Sequence, residues 1–148
     1  MMETQIIGVG KVEYQEENIL HFTNGMYGFE NLTRYIFVAA AEPEFPFFYL
    51  KSLERDDLQF IVTNPFLFVD KYDFELADAV VEALKIKEVS DVSVYNLVVL
   101  LDDVAKTTIN LKAPIIVNHK SMLASQVILK EEYAFKHQLF VNQGDEDA

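Results

Sequence analysis

Short alternations of apolar and polar residues recur along the chain and predict a protein built mainly from β-strands. Side chains of a strand point to opposite faces in turn, so a strand with one buried face shows a period of two. Clusters of Asn, Gly, Asp and Pro separate these segments, as turns separate consecutive strands. The segments are residues 5–14, 19–22, 34–40, 47–53, 59–63, 92–101, 107–111, 115–117 and 122–129. Strands this short and frequent predict a mostly-β fold, a small antiparallel β-barrel or sandwich-like domain.

One segment has the period of a helix instead. Leu76, Val80 and Leu84 recur every four residues, with charged residues on the opposite face, which predicts one amphipathic helix at about residues 74–85. Asp73 is expected to cap its N-terminus, and the charges at both ends match the helix dipole.

The segment 92–101 is predicted to be a central strand. Its first half alternates and its second half is continuously apolar, which indicates that the strand becomes covered on both faces. Asp102-Asp103 is expected to form the next turn, and residues 118–121 a further turn before the last predicted strand.

Size and composition favour one folded domain. The chain has 148 residues, 51% of them hydrophobic and 13% aromatic, which is enough for one core. We expect a single domain over residues 1–140 and an acidic C-terminal tail over residues 141–148. The apolar runs are far shorter than the roughly 20 residues of a membrane span, and the start lacks a basic leader, so we expect a cytoplasmic protein with no membrane association.

The charge balance disfavours direct binding of nucleic acid. The chain carries 24 acidic and 12 basic residues, a formal net charge of -12, and its only arginines are Arg34 and Arg55. A phosphate backbone is bound by Lys and Arg, which displace its counterions. Solubility is the simplest interpretation of the acidity, but a field of one sign also steers a basic protein towards the surface.

Little in the sequence indicates an active site. The chain has no Cys, and His21, His119 and His137 lack the spacing that places two imidazoles on one metal ion. Gly8-Val9-Gly10 lacks the third glycine and the following helix of a dinucleotide-binding loop, so we interpret it as a turn or bulge. We predict no catalytic residue, no metal site and no cofactor.

Aromatic residues concentrate around two turns. Residues 45–49 contain four aromatic side chains and one proline, and residues 64–68 contain Asn64-Pro65-Phe66 followed by Leu67 and Phe68. So many neighbouring aromatics cannot all face inwards from one alternating strand. Most are expected in the core, and the rest could line a groove for a partner.

Several motifs together resemble the flagellar assembly factor FliW family, over about residues 6–129. They are residues 21–30 (HFTNGMYGFE), residues 60–66 (FIVTNPF) with residues 72–74 (YDF), residues 107–118 (TTINLKAPIIVN) and residues 124–129 (ASQVIL). Two positions differ from the family pattern, because Tyr27 stands where Pro is usual and Lys51 where Gln is usual. Without the fixed φ of proline, the turn at Tyr27 is expected to be looser.

The resemblance implies a β-barrel-like fold and two mutually exclusive protein partners, flagellin and the RNA-binding translational regulator CsrA. Binding of CsrA would relieve repression of flagellin translation, and binding of flagellin would protect it in the cytoplasm and release CsrA. A monomer is favoured. The residues expected to contact partners are Asn64, Pro65, Phe66, Asp70, Asp73, Glu75, Asn110, Leu111, Lys112, Ala113 and Pro114.

Two other classes of function make different predictions. A small-molecule or carbohydrate-binding barrel requires a deep pocket with convergent polar groups. An enzyme requires a cleft that holds a nucleophile or a titratable group with a strongly shifted pKa. Each residue assigned to partner contact also has a structural alternative, since prolines shape turns, Asn110 can bind backbone groups and the acids can cap the helix.

Overall fold

Short strands and one α-helix form the described part of the chain, which in this computed structural model comprises residues 2–39, 47–100 and 102–139. The strands are β1 (Met2–Ile6), β2 (Gly10–Tyr14), β3 (Leu20–Phe22), β4 (Arg34–Ala39), β5 (Phe47–Ser52), β6 (Gln59–Thr63), β7 (Val92–Val99), β8 (Thr108–Ile109), β9 (Ile115–Asn118), β10 (Leu123–Gln126) and β11 (His137–Gln138). The helix is α1 (Asp78–Ala83), and short 3-10 turns lie at Glu16–Asn18, Pro65–Leu67, Val89–Asp91 and Val104–Lys106.

Seven of the strands close into a barrel. Their order is β7-β6-β5-β4-β3-β10-β9, and β9 returns to pair with β7. The pairs are antiparallel except for β3 with β10, which are parallel. The hairpin β1–β2 forms a separate sheet, and β8 and β11 extend from the free part of β7. The mostly-β, barrel-like class predicted from the sequence is therefore confirmed.

The alternation along β4 shows how the barrel is packed on both sides. Tyr35 points into the barrel, where the buried side chains of β3, β5, β6, β9 and β10 surround it. Ile36 points outwards and is covered by Ile6 of the β1–β2 hairpin and Ile19. Because both faces of the strand are covered, the hairpin acts as an outer layer over this part of the barrel.

The aromatic residues at the start of β5 divide among three apolar clusters. Phe48 packs into the barrel, Phe47 packs against a cluster outside β7 and β8, and Tyr49 packs under the hairpin. These three rings are thus part of the core, and none of them lines a groove. The other members of the predicted 45–49 segment, Phe45 and Pro46, lie outside the described residues.

The helix is shorter than residues 74–85, and the predicted cap is wrong. Helix α1 begins after Ala77, whose side chain makes no capping bond, and Asp78 supplies the acidic residue of its first turn. The reason lies in the tertiary contacts of the preceding residues. The backbone N–H of Asp73 donates to the hydroxyl of Tyr133 at 3.0 Å, and that of Glu75 donates to a carboxylate oxygen of Glu131 at 3.1 Å. The hydroxyl of Tyr133 in turn donates to the carbonyl of Asp73 at 2.9 Å, and this carbonyl is the group that would accept the first intrahelical bond if Asp73 were the N-cap.

Strand β7 is central, as predicted, but its end is not covered on both faces. One edge pairs with β6, and the other is shared between β9 at residues 92–95 and β8 at residues 98–99. Val99 and Leu100, however, are 52% and 38% exposed. The continuous apolar run was therefore a poor guide to burial here, and Leu101 lies outside the described residues.

The predicted turns are confirmed. Gly8 has a φ of 89° and Gly10 a φ of 104°, and the turn between them joins β1 to β2. The turn after Asn118 joins β9 to β10 in register, with Ala124 opposite Val117. The acidic tail and the domain boundary at residue 140 lie outside the described residues and remain predictions.

Candidate protein-binding groove

An open apolar groove of about 570 Å³ lies on the outer face of the barrel, beside helix α1. Its floor is formed by Val92 and Val94 of β7 and by Ile116 of β9. Alternation explains their direction, because Tyr95, the residue after Val94, packs against the interior cluster of the barrel. Val94 and Ile116 are directly paired in the sheet, so the floor is a continuous patch of two strands.

One wall of the groove is the C-terminal end of helix α1, which supplies Val81 and Ile86. The chain turns there because Lys85 adopts a φ of 57°. The N–H of Lys85 donates to the carbonyl of Glu82 at 3.1 Å, and that of Ile86 donates to the carbonyl of Val81 at 2.9 Å. This is the hydrogen-bond pattern of a Schellman cap, in which an apolar residue after the helix lies near one in its last turn.

Asn118 fixes this wall to the barrel. Its side-chain amide donates to the carbonyls of Leu84 at 2.8 Å and Lys85 at 3.2 Å. The side-chain oxygen accepts from the backbone N–H of Lys120 at 2.9 Å, within the β9–β10 turn. The side chain is almost fully buried, so these bonds are shielded from water. The helix end is therefore held on the pair formed by Val92, the first residue of β7, and Asn118, the last residue of β9.

The opposite wall begins at the predicted Asn64-Pro65-Phe66 motif. The side-chain oxygen of Asn64 accepts from the N–H of Phe66 at 2.9 Å and caps the 3-10 turn that follows. Pro65 is buried, whereas Phe66 is 53% exposed and its ring lies 6.0 Å from that of Tyr72. Asn64 and Pro65 thus shape the turn, and Phe66 is the member of the motif that reaches the groove.

Tyr72 connects the groove to the segment 110–114. Its hydroxyl donates to the carbonyl of Leu111 at 2.6 Å and accepts from the side-chain amide of Asn96 at 3.0 Å. The same amide also donates to the carbonyl of Asn110 at 2.7 Å. Burial raises the pKa of the Tyr72 hydroxyl to about 12, so the group stays protonated at neutral pH and remains a donor.

The segment 110–114 supports the groove from behind and does not line it. The side-chain oxygen of Asn110 accepts from the N–H of Lys112 at 3.1 Å and from that of Ala113 at 3.0 Å. Leu111 and Ala113 are each 3% exposed, and Pro114 is buried. Lys112 is half-buried, and its ammonium group donates to the carbonyl of Glu131 at 2.8 Å. The backbone of this loop is therefore held by its own side chains.

The structure places the predicted contact residues in two groups. Phe66, Asp73 and Glu75 line the groove together. Asp70 is exposed but does not line it, and Asn64, Pro65 and the segment 110–114 lie behind its walls. Nine apolar or aromatic lining residues were not among the predicted contacts, namely Tyr72, Phe74, Leu76, Val81, Ile86, Val89, Val92, Val94 and Ile116. The alternation at Val92 and Val94 indicated an outward face, but not what would lie beside it.

Asp91 ties the loop after the helix to the β9–β10 turn. Its carboxylate lies 2.9 Å from the ammonium group of Lys120 and accepts from the N–H of Glu88 at 3.1 Å and that of Lys87 at 3.3 Å. The side chain is only 4% exposed. The ion pair with Lys120, together with the backbone donors, holds the pKa of Asp91 below its usual value despite the opposing effect of desolvation.

We expect the replacement Asp91→Asn to destabilise the protein more at pH 7 than at pH 3. Because the pKa of Asp91 is lowered in the folded state, its contribution is complete above the unfolded-state pKa of about 3.9 and is lost as pH falls through the folded-state pKa. Urea unfolding at both pH values would measure the difference between wild type and variant. The exposed Asp56 provides the control replacement, Asp56→Asn. An Asp91→Asn effect of equal size at both pH values would contradict this account.

The described residues contain no cluster of three or more His, Asp or Glu side chains placed to hold a metal ion. Within the same residues, no helix has both the length and the apolar character to cross a bilayer.

The fold and the groove define the chain as a small closed β-barrel protein with an open apolar groove on its outer face. Comparison with known proteins identifies the family. The family model described as FliW protein matches residues 3–139, and the chain belongs to the FliW family.

Relatives and a solved structure extend over nearly the whole chain. The chain is 43% identical over 133 residues to the flagellar assembly factor FliW of Bacillus pumilus, covering 89% of this chain and 92% of that protein. It is 40% identical over 129 residues to the flagellar assembly factor FliW of Alkaliphilus metalliredigens, covering 86% of this chain and 80% of that protein. A crystal structure of the flagellar assembly factor FliW superposes with a TM-score of 0.86 at 32% identity, covering 96% of this chain and 98% of that one.

Proposed function

We propose that the protein is a cytoplasmic flagellar assembly factor that binds flagellin and the translational regulator CsrA in a mutually exclusive way. The relatives that carry the name flagellar assembly factor support the first part of this proposal. The observation that carries the binding role is the apolar groove, which leaves Phe66 half-exposed beside a floor of valine and isoleucine side chains. Exposed apolar surface of this kind is typical of protein interaction sites.

An apolar groove fits one face of an amphipathic helix, and the terminal segments of flagellin are helical. Phe66 and Phe74 would provide aromatic contact on one side, and Val81 and Ile86 aliphatic contact on the other. Asp73 and Glu75 add negative charge at the rim. The surrounding field of a protein with net charge -12 would also steer a basic RNA-binding protein towards the surface and repel the phosphates of its RNA.

Mutual exclusion would couple the two partners. If flagellin and CsrA cannot occupy the protein together, each lowers the apparent affinity for the other by the same factor, as linkage requires. Flagellin that accumulates before export would then displace CsrA and restore repression of its own translation. A small-molecule site is disfavoured by the groove itself, whose polar side chains lie in two separate segments, residues 73–75 and 87–88, and do not converge on one point.

Replacing Phe66 with alanine is expected to weaken flagellin binding by at least about tenfold, because an aromatic side chain in an apolar site commonly contributes most of the energy of an interface. The thermal midpoint should change little, since the ring is 53% exposed. Isothermal titration with purified flagellin and with purified CsrA, separately and in competition, would measure both affinities at low and high salt.

Leu67 provides a matched control, because it lies in the same 3-10 turn and is 62% exposed but does not line the groove. Leu67→Ala should retain binding. Equal loss of affinity in both variants, or a Phe66→Ala variant that only lowers the thermal midpoint, would contradict the assignment of the groove. Simultaneous binding of flagellin and CsrA in the competition experiment would contradict mutual exclusion.

A further inference from the structure

Val89 is the most exposed large apolar side chain in the described part of the chain, at 92%, and it lines the groove. Single exposed apolar residues are common on protein surfaces and by themselves indicate nothing. Val89 differs from these because its neighbours in the groove, Ile86 and Val92, are also apolar. Its side chain therefore extends the apolar surface of the groove beyond the start of β7.

The backbone that carries Val89 is held firmly, although its side chain is exposed. Val89 is the first residue of the 3-10 turn before β7, and its carbonyl accepts from the N–H of Val92. In the same turn, the N–H of Asp91 donates to the carbonyl of Glu88 at 3.0 Å, and the carbonyl of Asp91 accepts from the N–H of His119 at 3.2 Å. Because the turn is fixed before binding, little conformational entropy is lost when a partner covers the valine.

Phe66 is exposed at the opposite end of the groove. Its ring lies beside that of Tyr72, whose hydroxyl accepts from the side chain of Asn96 in β7. Asn96 and Val92 are four residues apart in the strand, which corresponds to about 13 Å at ~3.3 Å per residue. Between the two ends the floor is less exposed, since Ile116 is fully buried and Val92 is half-buried. The groove therefore has an exposed apolar side chain at each end of a recessed floor.

A helix matches this arrangement better than an extended segment does. An extended segment that lies across the face of a sheet leaves its backbone groups unpaired, whereas a helix pairs its own. Helical residues that are seven or eleven positions apart share one face and are separated by about 10.5 or 16.5 Å along the axis. These lengths bracket the span of the groove. Apolar residues at positions i, i+4, i+7 and i+11 therefore reach both ends and cover the floor between them.

The charged residues of the groove favour basic side chains beside that apolar face. Three of the four charged lining residues are acidic, and none of the three lies within 4.0 Å of a basic nitrogen in the described part of the chain. Acids occur near both ends, because two of them follow Tyr72 and the third precedes Val89. The net charge of -12 acts in the same direction. The charged lining residues are Asp73, Glu75, Lys87 and Glu88.

We propose that Val89 is a second apolar contact residue of the groove, opposite Phe66, and that the two select an amphipathic helical segment with an apolar face two to three turns long and basic flanks. This rests on the proposed function of the groove and specifies the segment that it binds. A shorter apolar face reaches only one of the two ends and binds more weakly.

A synthetic helical peptide tests the second contact. It carries leucine at positions i, i+4, i+7 and i+11, lysine and alanine elsewhere, and acetylated and amidated termini. Fluorescence anisotropy would measure its binding to the full chain. Val89→Ala is expected to weaken binding about five- to tenfold, because two methyl groups are no longer buried by the partner. The thermal midpoint of this variant should not change, since the side chain is 92% exposed in the unbound protein.

Val104 provides the matched control. It is 57% exposed and is also the first residue of a 3-10 turn, but it does not line the groove. Val104→Ala should bind the peptide as tightly as wild type does.

Two shortened peptides test the length of the apolar face. In one the first leucine is replaced by alanine, and in the other the last leucine is replaced. One of the two is expected to respond less to Val89→Ala than the parent peptide does, and the other to respond less to Phe66→Ala. Each such coupling identifies the leucine that meets that residue of the groove.

The outcomes separate this inference from the proposed function. If Val89→Ala binds the peptide like wild type while Phe66→Ala binds it weakly, the groove remains a binding site and the second contact is refuted. Equal losses in Val89→Ala and Val104→Ala would also refute it. If both shortened peptides respond to Val89→Ala as the parent does, the required length is refuted.

Two further outcomes concern the partner. If the peptides behave as expected but neither flagellin nor CsrA binds the protein, the inference stands and the proposed function is refuted. If no peptide binds, a helical occupant of the groove is refuted, whether or not flagellin binds elsewhere on the protein.

Discussion

Replacing Gly25 with alanine is expected to destabilise the protein by about 2–5 kcal/mol, the largest effect of any single substitution considered. Gly25 has a φ of 68°, a conformation that costs roughly 1–2 kcal/mol for a residue with a side chain. An added Cβ would also lie 2.6 Å from the carbonyl oxygen of Glu30 and 2.7 Å from its Cα. Both are backbone atoms, so relief requires movement of the chain, and overpacking of this kind typically costs 1–3 kcal/mol.

The position of Gly25 makes such movement difficult. The residue is buried, and its neighbour Met26 is 1% exposed within the cluster inside the barrel. Met26 is also bridged to Phe29, which packs against the same cluster. The turn that joins β3 to β4 is therefore anchored on both sides of Gly25, and a shift at Glu30 would be transmitted to core side chains.

Gly28 is the matched control in the same turn. Its φ is 89°, but an added Cβ would meet no atom within 4 Å. Gly28→Ala should therefore incur only the backbone cost of roughly 1–2 kcal/mol. Urea unfolding of the two variants would separate the steric contribution from the conformational one. Equal destabilisation of both would show that the backbone at Glu30 yields freely, contrary to this account.

Replacing Tyr72 with phenylalanine is expected to cost about 1–3 kcal/mol, the second largest effect. The change removes one hydroxyl and leaves the ring contacts with Phe74 and Tyr133 in place. It leaves the carbonyl of Leu111 without its donor, and the amide of Asn96 without one of its acceptors, in a site where Tyr72 is 5% exposed. A buried polar group without a partner retains its desolvation cost, which is why the loss exceeds the net value of one hydrogen bond.

Tyr133 is the natural comparison for this effect. Its hydroxyl donates to the carbonyl of Asp73 at 2.9 Å and accepts from the N–H of the same residue at 3.0 Å. These bonds are accessible to water, which can replace the hydroxyl, so Tyr133→Phe should cost less than Tyr72→Phe. Chemical denaturation of both variants would measure the difference. A Tyr72→Phe variant as stable as wild type would mean that water reaches the carbonyl of Leu111 as well.

Much of the fold follows from local pattern. The alternation of β4, β6 and β7 predicted strands that the structure contains, because each has one face directed into the barrel. The predicted start of the helix was wrong, since the residues before Asp78 have helical periodicity but the backbone of Asp73, including its carbonyl, bonds to Tyr133, and that of Glu75 bonds to Glu131. Those partners lie more than fifty residues away in sequence, so no local pattern could indicate them.

The groove was predictable only in part. Phe66, Asp73 and Glu75 could be proposed from the family resemblance, supported by the aromatic residues around the turn at Pro65 and by the acidic charge of the other two. The floor depends on the pairing of Val94 with Ile116, which barrel closure determines. Closure is set by the register of β7 against β9, and the segment between these strands gives no signal of that register.

Strand β7 serves two purposes at once, since the residues that close the barrel are those whose outward side chains form the floor of the groove. Val92 and Val94 pair with β9, and β9 pairs on its other edge with β10, so the floor is held in place before any partner arrives. The barrel therefore loses little conformational entropy when a partner binds there. Most of the entropy loss falls on the partner chain. This double use limits which residues the floor can tolerate. A substitution there that suits a new ligand also changes the contact between β7 and β9 that closes the barrel.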